Sequence, residues 1–322
     1  MTTIKWGIIG CGDVCEVKSG PGFQKAANSE LVAVMRRDSG LAENFARRHN
    51  VPKWYSKAQA LISDPEVDAI YIATPPANHL EYTRLAAQAG KPVYVEKPMA
   101  RTYAECLTMI EICREAGVPL FVAYYRRAMP RFLKIKELLE AGSIGEVRLA
   151  TLELYRPPLD NSQALPWRVQ PEIAGGGLFV DVGSHALDLL DYFFGPVQKV
   201  TGFAANQGGF YRVEDIVTAT FVHESGVQVM GAWCFTSFKS HDRVEIIGSK
   251  GKLSFSIFTE EPIILTTSES VQEIPFNYPL HVQQPLIQLI VDELNSQGHS
   301  PSTGDSGART NKVMDEILES YY

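Results

Sequence analysis

Between Ile4 and about residue 124, short β-branched runs alternate with longer amphipathic ones. Ile4–Ile9, Leu31–Met35, Ala69–Ala73, Val93–Glu96 and Leu120–Ala123 read as strands, and the intervals between them read as helices. In Thr102–Ala116, Ala104, Leu107, Ile110 and Ile112 fall mainly at helical spacing with Glu105, Glu111, Arg114 and Glu115 between them, and Gly117-Val118-Pro119 ends the run. Strand–helix alternation at this rhythm predicts parallel βαβ units with helices on both faces of a doubly wound sheet.

After a further helix, Arg131–Ala141 closed by Gly142, the rhythm changes to longer alternating strands: Val147–Tyr155, Asp215–Val222, Val227–Phe235, Arg243–Ile247 and Lys252–Ile257. Hairpin punctuation at His223–Gly226 and Gly248–Gly251 makes this sheet mostly antiparallel. Two helical patterns, Val282–Asn295 and Ala308–Tyr321, follow, separated by the polar loop Ser296–Gly307. The expectation is an α/β chain of two domains, a doubly wound parallel sheet over residues 1–124 and an α+β domain with a large, mostly antiparallel sheet over residues 125–322.

Composition narrows the function classes. Hydrophobic residues make up 45% and charged residues 21% of 322, which leaves no room for a disordered or collagen-like chain. A net charge of −7 argues against a broad nucleic-acid or anionic-membrane footprint, while a local basic pocket for one phosphate stays open. No apolar run approaches the roughly 18 residues of a membrane span, and Met1-Thr2-Thr3-Ile4-Lys5 passes into a strand without a secretory signal. Five cysteines, odd in number and without a CxxC pair, suggest neither a disulfide framework nor a structural zinc site, so the cytoplasm is the expected compartment.

The first strand runs into Gly10-Cys11-Gly12-Asp13-Val14-Cys15. A Gly-x-Gly turn there is where backbone approaches a pyrophosphate and hands it to a helix N-terminus. The third fingerprint position holds Cys15 instead of Gly or Ala, still small enough to let a helix pack on the strand. A lone glycine turn also fits a plain strand-to-helix connection; its place at the head of a βαβ series favours a Rossmann dinucleotide site formed by Gly10, Cys11, Gly12, Asp13 and Val14. NAD sites place Asp or Glu at the end of the second strand to bond the ribose 2′-hydroxyl, but Arg36 stands here with Arg37 beside it. A guanidinium pairs in bidentate fashion with a 2′-phosphate, which favours NADP(H). The competing readings are a solvated arginine pair, and NAD(H) bound through Asp38 if the strand ends later.

Two more strand ends, Ala73-Thr74-Pro75-Pro76-Ala77-Asn78-His79 and Tyr94-Val95-Glu96-Lys97-Pro98-Met99, lie at the carboxyl edge of the sheet, where open parallel sheets bind ligands. These residues resemble the glucose-fructose oxidoreductase, inositol dehydrogenase and rhizopine catabolism protein family (Gfo/Idh/MocA), whose most recognisable mark is Glu96-Lys97-Pro98. The likeness extends through Gly142-Ser143-Ile144-Gly145 and Gly175–His185. Trp6-Gly7, Trp167-Arg168 and the triple glycine at Gly175 look closest to the 1,5-anhydrofructose reductase branch. The resemblance implies that Thr74, Pro75, Asn78, His79, Glu96 and Lys97 line the cofactor, and that Lys97 hydrogen-bonds the reacting oxygen, where a fixed cation stabilises alkoxide character. Without it, Lys97 is equally a surface lysine after a strand.

Asp181 and His185 stand four apart in a segment whose Leu187, Leu190, Asp191 and Phe194 mark an apolar helix face. That spacing puts both on one face a turn apart, either as a working acid–imidazole pair or as a first-turn acid and a buried structural histidine. The family carries an Asp-x-x-x-His pair in this place. The resemblance therefore implies that His185 is the general acid/base, with Asp181 orienting it or binding a substrate hydroxyl, and Asp188 structural. It places Trp167 and Arg168 in the substrate pocket; Tyr124, Tyr125, Arg127 and Tyr155 are further groups suited to a sugar-like ligand, and His281 is a candidate for closing the nicotinamide site. A metal is not expected: its further ligands would have to come from His79, His223, His241 or His281, scattered through unrelated elements, and the resemblance implies none.

The expected function is an NAD(P)-dependent oxidoreductase, NADP(H) favoured, moving a hydride between nicotinamide and a carbinol or carbonyl carbon of a sugar-like or cyclitol-like substrate. Its rivals are a reductase of another substrate class in the family, tetrapyrrole or dihydrodiol, a non-catalytic NADP-binding regulator, and an oligomerisation scaffold. A homodimer or homotetramer joined through an open sheet face is expected by analogy, with no nucleic-acid or membrane partner.

Overall fold

The structure of the protein, a computed structural model, describes residues 1–159 and 165–322. Its contacts divide the chain into two compact units, residues 1–129 with 279–308 and residues 130–278 with 309–322.

The first unit begins with β1 (Ile4–Ile9), α1 (Asp13–Val17), α2 (Gly20–Lys25), β2 (Ser29–Met35) and α3 (Ser39–Arg48). It continues through β3 (Lys53–Tyr55), α4 (Ala58–Ile62), β4 (Ala69–Ile72), α5 (His79–Gln88), β5 (Val93–Val95), α6 (Tyr103–Glu115) and β6 (Leu120–Val122). The six strands are parallel, in the order β3-β2-β1-β4-β5-β6. The order reverses between β1 and β4, so the segments leaving those strands, Gly10 and Thr74, flank the crevice where doubly wound sheets take ligands.

Helices on both faces explain why Ala69–Ile72 and Val93–Val95 are buried throughout. Alternate residues sort between the faces. Trp6, Phe23, Tyr71 and Tyr94 meet on one, with ring centroids 4.9 Å apart for Trp6–Phe23, 5.1 Å for Phe23–Tyr71 and 4.9 Å for Tyr71–Tyr94. Ile70, Ile72, Val93 and Val95 join Leu61, Ala86, Cys106 and Met109 on the other. Two features were not read from the sequence. The edge strand β3 has three residues, too few to show a period, and the interval after the glycine turn holds two short helices because Pro21 opens α2.

The second unit contains α7 (Pro130–Glu140), β7 (Val147–Tyr155), α8 (Pro171–Ala174) and α9 (Ser184–Phe194). Seven strands follow: β8 (Val197–Ala205), β9 (Ile216–His223), β10 (Gln228–Cys234), β11 (His241–Gly248), β12 (Gly251–Phe255), β13 (Ile263–Thr267) and β14 (Val271–Ile274). With β7 they form an eight-stranded sheet of order β14-β13-β12-β11-β7-β10-β9-β8 in which only the β10–β7 pair is parallel. Alternation is clear: Val229 and Trp233 of β10 and Val217, Ala219 and Phe221 of β9 are buried, while Met230, Thr218 and Thr220 face outward with Phe203, which is 74% exposed. Among the described residues, one segment is long and apolar enough to cross a membrane, Pro171–Phe194, and 83% of its most apolar stretch is buried inside the protein.

Helix α10 (Gln284–Leu294) belongs to the first unit, and α11 (Gly304–Leu318) starts there and ends in the second. The sequence reading placed residues 279–308 with the second domain. They pack with the first because their polar groups complete its open edges: Asn295 Oδ1 accepts from Thr2 N (2.7 Å), Gln288 Oε1 from Ala27 N (2.7 Å), and Ser302 Oγ donates to Val122 O (2.7 Å).

Candidate active site

The glycine turn is tied to the neighbouring strand, since Gly10 N and Cys11 N both donate to Met35 O, at 2.8 and 3.2 Å. Gly10 has φ +92°, and a Cβ there would stand 2.8 Å from Thr74 Cγ2 and 2.9 Å from Ala73 O, so only glycine fits. Gly12, the N-cap of α1, is open: a Cβ there would meet nothing nearer than Gly10 O at 3.9 Å. Thr74 Oγ1, beside the turn, is buried without a hydrogen-bond partner among the described residues. An open glycine backbone next to an unanswered hydroxyl fits a dinucleotide, which Gly10, Gly12, Asp13, Val14 and Thr74 would hold. Cys11 and Cys15 are buried, and burial pushes the Cys11 thiol up to about 11 against the opposing charge of Arg36. Arg36 directly follows Met35, to whose carbonyl the turn is bonded, and is half-buried, while Arg37 is exposed. Strand β2 ends at Met35, and Asp38 is the N-cap of α3, its Oδ1 accepting from Leu41 N at 2.9 Å.

Lys97 follows β5 and is partly exposed; its peptide bond to Pro98 is cis. Glu96 is held from three sides. Its carboxylate accepts from Tyr71 Oη (2.5 Å), Gln283 Nε2 (2.6 Å) and Lys97 N (3.2 Å), and Tyr94 Oη donates to Gln283 Oε1 (3.0 Å). Burial pushes both tyrosine hydroxyls well up, so they act as neutral donors. The sequence reading gave Glu96 to the cofactor; within the first unit its Oε1 accepts from Tyr71 and Gln283, and the carboxylate holds the Lys97 main chain. His79 is tied down in the same way. Fully buried, with burial lowering its pKa, it places one ring nitrogen 3.1 Å from Met99 O and the other 2.8 Å from Thr74 O, joining the two strand-end turns.

Tyrosines inside otherwise aliphatic strands were the available sign of this network, because a buried hydroxyl needs a partner. Nothing local pointed to Gln283. His281 stands between Val17 O (2.7 Å from Nδ1) and Lys25 Nζ (2.9 Å from Nε2), so its imidazole links α1, α2 and the segment before α10.

In the second unit the predicted helical pair falls on two kinds of turn. Asp181 rides a π-helical turn, Phe179–Gly183, and His185 opens the α-helix α9. The correction has a packing cause. The widened turn carries Phe179 onto Trp233, ring centroids 5.0 Å apart, and a Cβ on Gly183 would lie 2.8 Å from the Phe179 ring. Arg168, in a 3₁₀ turn at Trp167–Val169, brings its Nε 3.1 Å from Asp181 Oδ2 and lays its guanidinium 4.5 Å from the Trp167 ring centroid. The pairing of Arg168 with Asp181 is given by the structure; the sequence offered the two only as separate pocket candidates. His185 is 5% exposed, its ring meeting Phe258 at 5.9 Å and 73°.

Residues 4–124 match the oxidoreductase family with an NAD-binding Rossmann fold, and residues 132–254 match the Gfo/Idh/MocA C-terminal domain. The chain belongs to the Gfo/Idh/MocA oxidoreductases. Similar proteins include an oxidoreductase designated P35 from Formosa agariphila, 38% identical over 315 residues that make up 97% of each chain. The 1,5-anhydro-D-fructose reductase of Ensifer adhaerens is 27% identical over 94% of this chain and 92% of its own. Among solved structures, levoglucosan dehydrogenase in complex with NADH and levoglucosan shares the fold, with a TM-score of 0.88 and 22% identity over 98% of this chain and 96% of its own.

Within this Gfo/Idh/MocA chain, the two tyrosines expected at the pocket have these surroundings. Tyr124 is wholly buried in the core of the first unit. Tyr155 is in register with Cys234 and His241 and stacks on His241 at 5.4 Å, on the open face of the sheet. The π-helical turn packs on Trp233, which points to the opposite face, so strand alternation separates Tyr155 from Asp181. Arg127 is also buried, donating to Pro301 O at 3.2 Å, and Tyr125 lies under the guanidinium of Arg126 at 5.0 Å. Among the described residues no group of three or more His, Cys, Asp or Glu side chains is placed to hold a metal ion.

Proposed function

We propose that the protein is an NADP(H)-dependent oxidoreductase acting on a carbinol or carbonyl carbon of a sugar-like or cyclitol-like substrate. The observation that carries the cofactor preference is the end of β2: Arg36 follows Met35, whose carbonyl accepts from the Gly10 and Cys11 amides of the glycine turn, while the Asp38 carboxylate caps α3. A guanidinium at that place suits a 2′-phosphate, and a carboxylate occupied by a helix amide is poorly suited to a ribose hydroxyl. When bound, the nicotinamide supplies or accepts the hydride. Lys97 is the group that meets the reacting oxygen, donating a hydrogen bond from Nζ and stabilising alkoxide character with its charge. His185 exchanges the proton, and Asp181, anchored by Arg168, binds a substrate hydroxyl. The relatives that reduce 1,5-anhydro-D-fructose or bind levoglucosan support a polyhydroxylated substrate.

Fluorescence titration with NADPH and NADH, followed by turnover on a panel of keto-sugars, cyclitol ketones, a dihydrodiol and a tetrapyrrole, tests the reading. NADPH is expected to bind at least about tenfold more tightly, with the difference largely lost in Arg36→Ala. Lys97→Met should lower turnover by about 10²- to 10³-fold with dinucleotide affinity little changed. Tighter binding of NADH, or Lys97→Met turnover within a fewfold of the parent, would overturn the corresponding half of the proposal.

A further inference from the structure

Beyond β12 the chain leaves regular structure, yet residues 256–261 are held at many points by side chains of other elements. Asp242 on β11 accepts from both Ile257 N (3.0 Å) and Phe258 N (2.6 Å). Tyr278 Oη approaches Ile257 O (2.8 Å) and Thr259 O (3.1 Å), and Ser256 Oγ donates to Thr259 O (3.0 Å). Arg131 of α7, 1% exposed, donates to Glu261 O and to Ser256 Oγ. Three separate parts of the second unit therefore fix one turn. Phe258, partly exposed, sits within it. Its ring meets His185 at 5.9 Å and 73°, and the Arg156 guanidinium lies 4.8 Å from its centroid.

We propose that Phe258 is a positioning residue for His185. The inference rests on His185 being the proton-exchanging group. An edge-to-face contact favours one relative orientation of the two rings, and the pinned turn denies the Phe258 main chain the freedom to follow a moving imidazole. Arg156, stacked on the same ring, restrains it further. A general acid/base works only within hydrogen-bond reach of its substrate oxygen, and an error of about 1 Å costs about 10²-fold in rate. Fixing the imidazole plane is therefore a kinetic function, separate from substrate affinity.

The test compares Phe258→Leu, which keeps apolar volume and loses the ring, Phe258→Tyr, which keeps the ring, Asp242→Asn, which weakens the pin, and His185→Gln. Phe258→Leu should lower kcat about tenfold with KM within about twofold, Phe258→Tyr should retain about half of kcat or more, and Asp242→Asn should fall between them. In spectra of histidine-labelled protein, the His185 ring signals, assigned by their loss in His185→Gln, should move in Phe258→Leu and Asp242→Asn while the other histidine signals stay in place. Unmoved His185 signals with kcat within about twofold of the parent in both variants, beside an inactive His185→Gln, would discard the positioning role and leave the proposed function standing. Full kcat in His185→Gln would instead discard the role of His185 itself.

Discussion

Glu96 in the first unit and Glu214 in the second are both buried, and each adjoins a segment with a candidate catalytic residue. Glu96 takes its donors from Tyr71 on β4 and from Gln283 at the head of α10, so sheet register and a docked helix set its place. Glu214 accepts from Gly177 N, at 2.8 and 3.0 Å, and from Tyr322 Oη at 2.6 Å. Here a carboxylate clamps a glycine-rich turn that has little conformational restraint of its own. Burial pushes Glu214 up to about 6. The first unit thus builds its site on a rigid sheet edge, whereas the second makes irregular backbone rigid through individual side-chain bonds.

The comparison can be broken most directly at Gln283. Gln283→Leu removes a donor from the buried Glu96 carboxylate and the acceptor of Tyr94, and should cost about 3 kcal/mol in urea unfolding. A cost below about 1 kcal/mol would mean that the sheet edge does not depend on this network.

A smaller, pH-dependent effect is expected at Glu214. Its folded pKa of about 6 lies above the ordinary 4.5, so its favourable share of stability is whole below pH 4.5 and is lost as pH rises through 6. The loss amounts to about 2 kcal/mol. Glu214→Gln should flatten the stability profile across that window, and profiles that stay parallel would contradict the assignment. Glu16 has the opposite sign: the bond from Arg48 holds its carboxyl down to about 2, so its share is present above 4.5 and lost only in stronger acid. Both contributions can be read from one series of unfolding curves.

The smallest effect sharpens the picture at the rim of the first unit. Asp38→Ala should cost about 1 kcal/mol through the lost cap of α3, with the NADPH-to-NADH preference unchanged within about twofold. A tenfold change in that preference would make Asp38 a ribose reader.

Much of the first unit was legible because its signals are local. β-branched runs, the Gly10-x-Gly12 turn and the position of Lys97 each occupy a few consecutive residues. The second unit was legible as a pattern of alternating strands, but β8, β13 and β14 were missed, since two of them lie on sheet edges where polar residues dilute the alternation. The face taken by Tyr155 was not legible for a related reason: a strand's sequence shows that its sides differ, while the helices packed on it decide which side is the interior. The π-helical turn under Asp181 had no sequence sign separate from the triple glycine before it.

By itself the sequence determined the change of rhythm along the chain, the doubly wound and antiparallel halves, the family and the identities of Lys97, Asp181 and His185 as candidate chemical groups. These follow from period, turn chemistry and short motifs, which act between neighbours along the chain. Only the tertiary structure decided what surrounds each group: Gln283 with Glu96, Arg168 with Asp181, Phe258 with His185. Gln283 and Glu96 are 187 residues apart. Such pairs are chosen by the need of buried polar and aromatic groups for partners once the elements have packed, and no local pattern of the chain records that choice.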